Sequence, residues 1–447
     1  MSVRGTELSS GQKLGHGKPI MGSNRGLQLP TISSSWGARK WSPVKVHIII
    51  SLALFWCLPA RASTITAASC SQTDVQNAVN SAVSGDTVVV PGGTCSWGGG
   101  TVTVPSTKGI TVNGGGTATI TGSSHISLTS NVSTSTRITG FTFTGAWPCC
   151  GNFAIKADGS PSTAPYRIDH NTITGDVATN GQTLMEVDNN GPGLIDHNTL
   201  TAPNNAEIIH NVGLGANGNL AWTDNVTPGG PTMVFIEDNT FTNSASGTIC
   251  SGIQSYYGAR TVVRHNIFNF CQVDQHGTAG SIGARWWEIY SNNFNTPNGQ
   301  NQCCIMDIRA GSGVIYNNTV SGTNTGAGSI DLREEDAGTW PLAYQIGSGI
   351  NGQTNGHNSC TGGALNSSPA YVWGALEISR IASQSPTVTL LNRDYFVSTG
   401  QPLTLFRQEL VTDTCPTTYN YVPYTYPHPL QNPSSIAAPT GLALVIH

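Results

Sequence analysis

The feature that most constrains this chain is a short segment that recurs at nearly constant spacing. Its copies are Arg167-Ile-Asp-His-Asn171-Thr-Ile, Leu194-Ile-Asp-His-Asn198-Thr-Leu, Phe235-Ile-Glu-Asp-Asn239-Thr-Phe, Val262-Val-Arg-His-Asn266-Ile-Phe, Glu288-Ile-Tyr-Ser-Asn292-Asn-Phe and Val314-Ile-Tyr-Asn-Asn318-Thr-Val. The numbered asparagines are 27, 41, 27, 26 and 26 residues apart. A fixed period of this length marks a solenoid, in which each repeat is one coil and buries its apolar face only against its neighbours. The long interval reads as a coil carrying an insertion around 212–230, a stretch rich in Gly, Pro and Asn. An earlier copy, Arg137-Ile-Thr-Gly-Phe-Thr-Phe143, sits 30 residues before Arg167. Stacked coils lie about 4.8 Å apart, so one turn recurs in register up the stack. Asparagine tolerates the left-handed conformation and can bond to the turn above or below. The repeated asparagines are therefore read as a structural ladder with no chemical role.

Composition agrees with short strands and tight turns. The chain has 447 residues with 53 glycines, and only 10% are charged, against about 25% in typical soluble domains. Disorder is the alternative for such a composition, but 38% apolar residues in β-branched runs argue against it.

Residues 1–62 read differently. Lys40 and Lys45 precede the apolar run from Val46 to Leu58, and Pro59-Ala60-Arg61-Ala62 resembles a small-residue cleavage site. Basic flank, apolar core and small exit are the parts of a secretory signal peptide, here with a long N-terminal extension. The run is too short to favour a membrane span, which needs roughly 20 residues. The expected location is secreted or periplasmic. Residues 1–62 hold eight of the 20 Lys and Arg and one of the 24 Asp and Glu, leaving 12 basic and 23 acidic residues, a net charge of −11. A surface so poor in cations is a bad match for nucleic acid, whose binding relies on Lys and Arg against phosphate. Beyond Cys57 ten cysteines remain, an even number that suggests disulfides in an exported chain. Cys70–Cys95 is a plausible staple at the N-terminal end. The Cys149-Cys150 and Cys303-Cys304 doublets lack the spacing of thiolate metal sites.

The stretch Thr73–Ala82 reads as a short amphipathic helix capped by Thr73 or Asp74, placed to plug the open end of the stack. Gly85-Asp86-Thr87-Val88-Val89-Val90-Pro91 would open the first strand. With this helix, that opening and the repeated coils, the chain resembles the pectate-lyase-like superfamily over residues 70–345. More narrowly, His276-Gly277-Thr278 with Gly283-Ala284-Arg285-Trp-Trp-Glu288, and the late Tyr424-Thr425-Tyr426-Pro427-His428-Pro429-Leu430, resemble bacterial parallel β-helix repeat proteins. The resemblance implies an all-β right-handed parallel β-helix of about nine or ten coils with a capping helix, spanning 63–345 and acting on polysaccharide. A capping region (346–432) and a linker-like tail (433–447) would follow, and a monomer is expected. One fold hosts many reactions, so the chemistry must come from the site.

In such a coil the strand before the asparagine-bearing one lines the substrate groove. These strands are read as Phe153–Asp158, Met185–Asp188, Ile208–Asn211, Ile253–Tyr257, Val273–His276, Met306–Arg309 and Ile330–Arg333. Alternation turns Ile155, Val187, Ile209, Ile253, Val273, Ile308 and Leu332 inward. Outward, one row holds Lys156, Glu186, Gln254, Asp274, Asp307 and Asp331; the other holds Asp158, Asp188, His210, Tyr256, His276, Arg309 and Arg333. The functional reading is a sugar chain lying along these rows. The bland one is a stack of ion pairs such as Asp307–Arg309 and Asp331–Arg333.

The leading expectation is a polysaccharide lyase acting by β-elimination on a uronate-containing glycan. Elimination needs a cation at the uronate carboxylate, a base for the C5 proton and an acid for the leaving oxygen. Arg309 and Arg333 would neutralise the carboxylate, alone or with Ca2+ held by Asp274, Asp307 and Asp331. His276 is the candidate base, with Tyr256 or His210 as donor. Lys156, Asp158, Glu186, Asp188, Gln254 and Arg285 are candidate substrate contacts. Reprotonation on the other face would give an epimerase, and paired aspartates in adjacent coils would suit a glycoside hydrolase. A non-catalytic glycan-binding or adhesin β-helix is the reading from another class. His170, His197, Arg264 and His265 are assigned to the turns, Trp286-Trp287 to packing or sugar stacking, and His428 to packing.

Overall fold

The computed structural model describes residues 62–432 except for residues 132, 149–150, 160–163, 190, 204, 214–225, 246–249, 278–282, 297–303, 323–329, 333–368, 375–390, 393–394, 403–404 and 408–416. The signal-like run, Arg333, the 347–363 loop, most of the 387–391 strand and the tail from 433 lie outside the described residues. No described helix is long and apolar enough to cross a membrane.

The described chain is a parallel β-solenoid of about nine turns. One sheet holds nine strands: Thr101–Val104, His125–Thr129, Ile155–Asp158, Thr183–Asp188, Glu207–Val212, Ser251–Tyr256, Gln272–Gln275, Met306–Ile308 and Ile330–Leu332. The strands that flank each asparagine, such as Tyr166–Asp169 and Thr172–Gly175, belong to a second sheet of 19 strands. The 41-residue interval keeps its register, since Gly193–Asp196 pairs residue by residue with Val234–Glu237. The coil register is thus kept across the long interval, and residues 214–225 within the expected insertion lie outside the described residues.

The ladder is present and continuous. Asn171, Asn198, Asn239, Asn266, Asn292 and Asn318 are each about 1% exposed. From Asn171 to Asn292, each backbone N–H and side-chain Nδ2 donates to the Oδ1 of the next asparagine at 2.9–3.1 Å. Nδ2 also donates to a backbone carbonyl of the preceding coil, as Asn266 does to Ile236 at 2.8 Å. Before each asparagine the chain adopts the left-handed conformation: His170, His197, Asp238, His265, Ser291 and Asn317 have φ between 52° and 58°. In the earlier copy Gly140 (φ 73°) takes this position, and Phe141 N–H starts the ladder by donating to Asn171 Oδ1. Inside the turn a second ladder forms from the rings of Phe241, Phe268 and Phe294, stacked at 4.7 Å centroid spacing.

The N-terminal end differs in detail from the sequence reading. The helix is Gln72–Ser81 and its cap is Ser71, whose hydroxyl accepts from Asp74 N–H, rather than Thr73 or Asp74. Asp74 instead accepts from Ser69 Oγ. The first strand of the stack is Thr64–Thr66, pairing in parallel with Thr87–Val89, so the chain enters the sheet before the helix rather than at Gly85. The Cys70–Cys95 disulfide is present. At the other end, Ala370–Trp373 stacks on Ser312–Tyr316 and Tyr395–Ser398 stacks on Ala370–Trp373. These strands continue the solenoid sheet.

The segment around Tyr424–Leu430 runs lengthwise over the outer face of the 19-stranded sheet. Tyr421 Oη donates to Glu288, Arg264 donates to the Tyr424 and Thr425 carbonyls, His428 N–H donates to Glu237, and Arg167 donates to the Leu430 carbonyl. Four coils are thereby tied together by one strap. His428 is buried against Phe235 and Tyr424, the packing role expected of it. Arg264 is a fully buried strand residue paired with Glu237 at 2.5 Å, not a turn residue.

Asn266→Ala would leave the buried Asn239 N–H without its acceptor and remove the side-chain donor to the Ile236 carbonyl, whereas Asn292 Oδ1 keeps the residue 266 backbone N–H. A buried group left unbonded costs about 1–3 kcal/mol. We expect a loss of that order in urea unfolding with an unchanged m-value. A variant as stable as the wild type would show that the ladder is dispensable.

Candidate active site

The outward rows of the nine-stranded sheet follow from alternation, and the register locates each side chain. Ser127, Lys156, Glu186, His210, Gln254, Asp274, Asp307 and Asp331 occupy successive coils of one row. The neighbouring row runs Thr129, Asp158, Asp188, Val212 and Tyr256. His210 thus belongs with Glu186 and Gln254, not with Tyr256 and His276 as the sequence pattern suggested. The cause is local: Ile208 and Ile209 are both fully buried, so simple alternation fails at the start of this strand. The seven residues assigned inward are all buried, but they fill two rows, since Ile155 pairs with Met185 and Val187 with Ala157.

Three of the expected catalytic residues come together. The His210 ring meets the edge of Tyr256 at 4.9 Å, and Tyr256 stacks on His276 at 4.2 Å. His276 is 9% exposed and Tyr256 half-buried. Beside them, Lys156 Nζ lies 2.6 Å from both Glu186 and Asp188. His210 Nδ1 sits 3.6 Å from Glu186 Oε2, and its Nε2 sits 3.9 Å from Glu207 Oε2. His210 Nδ1 and Glu207 Oε2 are shielded from solvent and have no hydrogen-bond partner among the described residues. Glu207 was missed because the strand was read from Ile208, although it begins at Glu207.

The environment separates these carboxyls. Burial pushes Glu207 up, only partly opposed by His210 and Arg309. Burial acts on Glu186 in the same sense, but His210 and Lys156 outweigh it and hold Glu186 below the ordinary carboxylate range. Asp188 is raised by burial and by the charges of Glu186 and Asp158, against Lys156. Lys156 loses basicity to burial yet ends above its ordinary value because Asp188 and Glu186 hold its charge.

Further along, the row is closed in. Gln254, Asp274, Asp307, Asp331 and Arg309 are all buried, so this end does not form the open floor that a uniform groove would have. Arg309 donates twice to Asp274, at 3.2 and 2.5 Å, and approaches Asp307 at 3.5 Å. Gln254 Nε2 also donates to Asp274. The ion-pair reading of Asp307 and Arg309 therefore describes their contacts, and Asp274 joins them. The Arg309 guanidinium thus meets both carboxylate oxygens of Asp274. Among the described residues no group of three or more His, Cys, Asp or Glu is placed to hold a metal ion. Arg285 is buried just before the strand Trp286–Tyr290. Trp286 and Trp287 are buried packing residues, and Glu288 binds Trp286, Gly229 and Tyr421.

No protein-family model matches the chain, and no curated protein matches it. Among solved structures, the chain is similar to the PL6 family alginate lyase AlyGC, at 12% identity over 82% of this chain with a TM-score of 0.26. It is similar also to a point mutant of that lyase, at 12% identity over 81% of this chain with a TM-score of 0.28. In both matches the chain spans 57% of the other protein.

The two glutamates predict opposite pH effects. A raised Glu207 contributes stability that is present below the unfolded value of about 4.3 and is lost as pH rises through its higher folded value. A depressed Glu186 contributes stability present above that unfolded value and lost as pH falls through its folded one. Near neutral pH, Glu207→Gln should therefore raise the melting temperature and Glu186→Gln should lower it. Shifts of the same sign in the two variants would contradict these environments.

Proposed function

We propose that the protein is a polysaccharide-active β-helix enzyme that cleaves a uronate-containing glycan by β-elimination. The observation that carries this reading is the His210–Tyr256–His276 cluster on the outward side of three adjacent coils, with Lys156 and Glu186 beside it. Coils about 4.8 Å apart match a sugar chain lying along the stack. In this reading His276 takes the C5 proton, Tyr256 protonates the leaving oxygen, and His210 orients or replaces Tyr256 as donor. Lys156 faces the uronate carboxylate, in competition with the two carboxylates it already meets. That competition favours a substrate of moderate charge density, such as a glycan in which uronates alternate with neutral sugars. A secreted or periplasmic location, a place in the pectate-lyase-like superfamily and a monomeric state complete the proposal.

A second reading rests on a different observation. Glu186 and Glu207 flank His210 in environments that push them in opposite directions, the pattern that divides acid from base or nucleophile in glycosidases. Hydrolysis would then use Glu207, whose carboxyl is pushed up by burial, as acid and Glu186 as base or nucleophile.

One experiment separates the readings. The protein is incubated with a panel of uronate polysaccharides, with and without Ca2+, while unsaturated-uronate absorbance and reducing ends are followed. Elimination requires both signals to rise. His276→Ala and Tyr256→Phe should each lower the rate by about 100-fold or more, the scale of general acid–base catalysis. Reducing ends without absorbance, abolished by Glu207→Gln, would replace elimination by hydrolysis. Glycan binding with neither signal would sink both and leave a binding protein.

A further inference from the structure

The residue before each ladder asparagine is forced into the left-handed conformation, and successive coils stack these side chains in one column at the edge of the solenoid. In two consecutive coils that residue is histidine, His170 and His197, with φ of 53° and 54°. Their rings are parallel, at an interplanar angle of 0° and a centroid distance of 5.0 Å. The side chains are 56% and 43% exposed. This column lies at the asparagine turn, between strands of the 19-stranded sheet, and is not part of the groove rows.

Each ring is held by a buried carboxylate. His170 Nδ1 lies 2.7 Å from Asp169 Oδ2, and His197 Nδ1 lies 2.8 Å from Asp196 Oδ2. Both aspartates are fully buried, and each accepts twice from an arginine, Asp169 from Arg137 and Asp196 from Arg167. A carboxylate so engaged is ionised and can only accept, so Nδ1 carries the proton. In the neutral ring Nε2 is then left with its lone pair. This carboxylate–histidine arrangement is what fixes tautomer and ring orientation around protein metal ions. Here it occurs twice, side by side, on an exposed face.

We propose that His170 and His197 form a two-histidine site for a divalent first-row transition ion, coordinated through both Nε2 atoms and completed by water. Imidazole suits Cu2+, Ni2+ and Zn2+, and the order of affinities puts Cu2+ first. Two nitrogens at about 2.1 Å from one ion lie at most about 4.2 Å apart. Because the rings are parallel with centroids 5.0 Å apart, their Nε2 lone pairs run side by side, and loading requires both exposed rings to tilt toward each other about their Nδ1 bonds until the lone pairs converge on one ion. The neighbours in the column do not compete for the site. Gly140 on one side has no side chain, and Asp238 on the other accepts from Tyr426 Oη at 2.7 Å and Gln431 Nε2 at 2.9 Å.

The test uses the tag-free chain and Cu2+ as probe, with titration calorimetry and electron paramagnetic resonance. Asparagine tolerates the left-handed turn, so His170→Asn and His197→Asn should keep the fold, checked by circular dichroism and melting temperature. The wild type should bind Cu2+ with superhyperfine coupling from two equivalent nitrogens. Each single variant should lose one nitrogen and bind at least about tenfold more weakly. A wild type that binds no Cu2+ overturns the proposal. So does binding that is equally strong in folded His170→Asn and His197→Asn proteins, because the ion would then sit elsewhere.

Discussion

Everything in this molecule is measured from the asparagine ladder. A buried amide left unbonded costs on the order of a hydrogen bond's full desolvation, so a chain of amides that satisfy one another tolerates little slippage. Six asparagines, each about 1% exposed, pass this constraint from coil to coil. The 41-residue interval shows its strength, since Gly193–Asp196 and Val234–Glu237 stay paired residue by residue across it. With the turns locked, the rows on the opposite sheet inherit the same spacing, and the groove acquires its regular geometry from a feature on the other side of the coil.

Charge is spent unevenly around that frame. The 19-stranded sheet uses arginines as internal ties: Arg137 to Asp169, Arg167 to Asp196 and Arg264 to Glu237, with Arg167 and Arg264 also binding the C-terminal strap. A cation with two roles is costly to leave unsatisfied in a low-dielectric setting, which is why these pairs lie beneath a covering segment. The nine-stranded sheet is left with an acid-rich face, on which Lys156 and Arg309 are each shared between two carboxylates. The polar groove therefore has two parts: a half-open one around Lys156, Glu186, Glu207 and His210, and a buried one around Asp274, Asp307 and Arg309.

Much of this was legible in the residues themselves. The period, the turn asparagines, the Asp–His pairs at the turns and the inward apolar positions are local patterns that repeat, and repetition reveals them. Tyr256 falls in the row of Asp158 and Asp188 for the same reason. His210 was not, because two buried isoleucines in succession break the alternation on which the reading relied. Glu207 escaped for a related reason: it begins its strand, where pattern is weakest.

The sequence by itself determined the solenoid, its spacing and the ladder, because each depends on residue type at a fixed interval along the chain. Only the tertiary structure decided which outward residues meet. Contacts between coils depend on register to a single residue, and a slip of one moves a side chain to another row. That physical fact separates His210 beside Glu186 and Glu207 from His210 beside Asp188. It also sets Arg309 onto Asp274 and brings His170 face to face with His197.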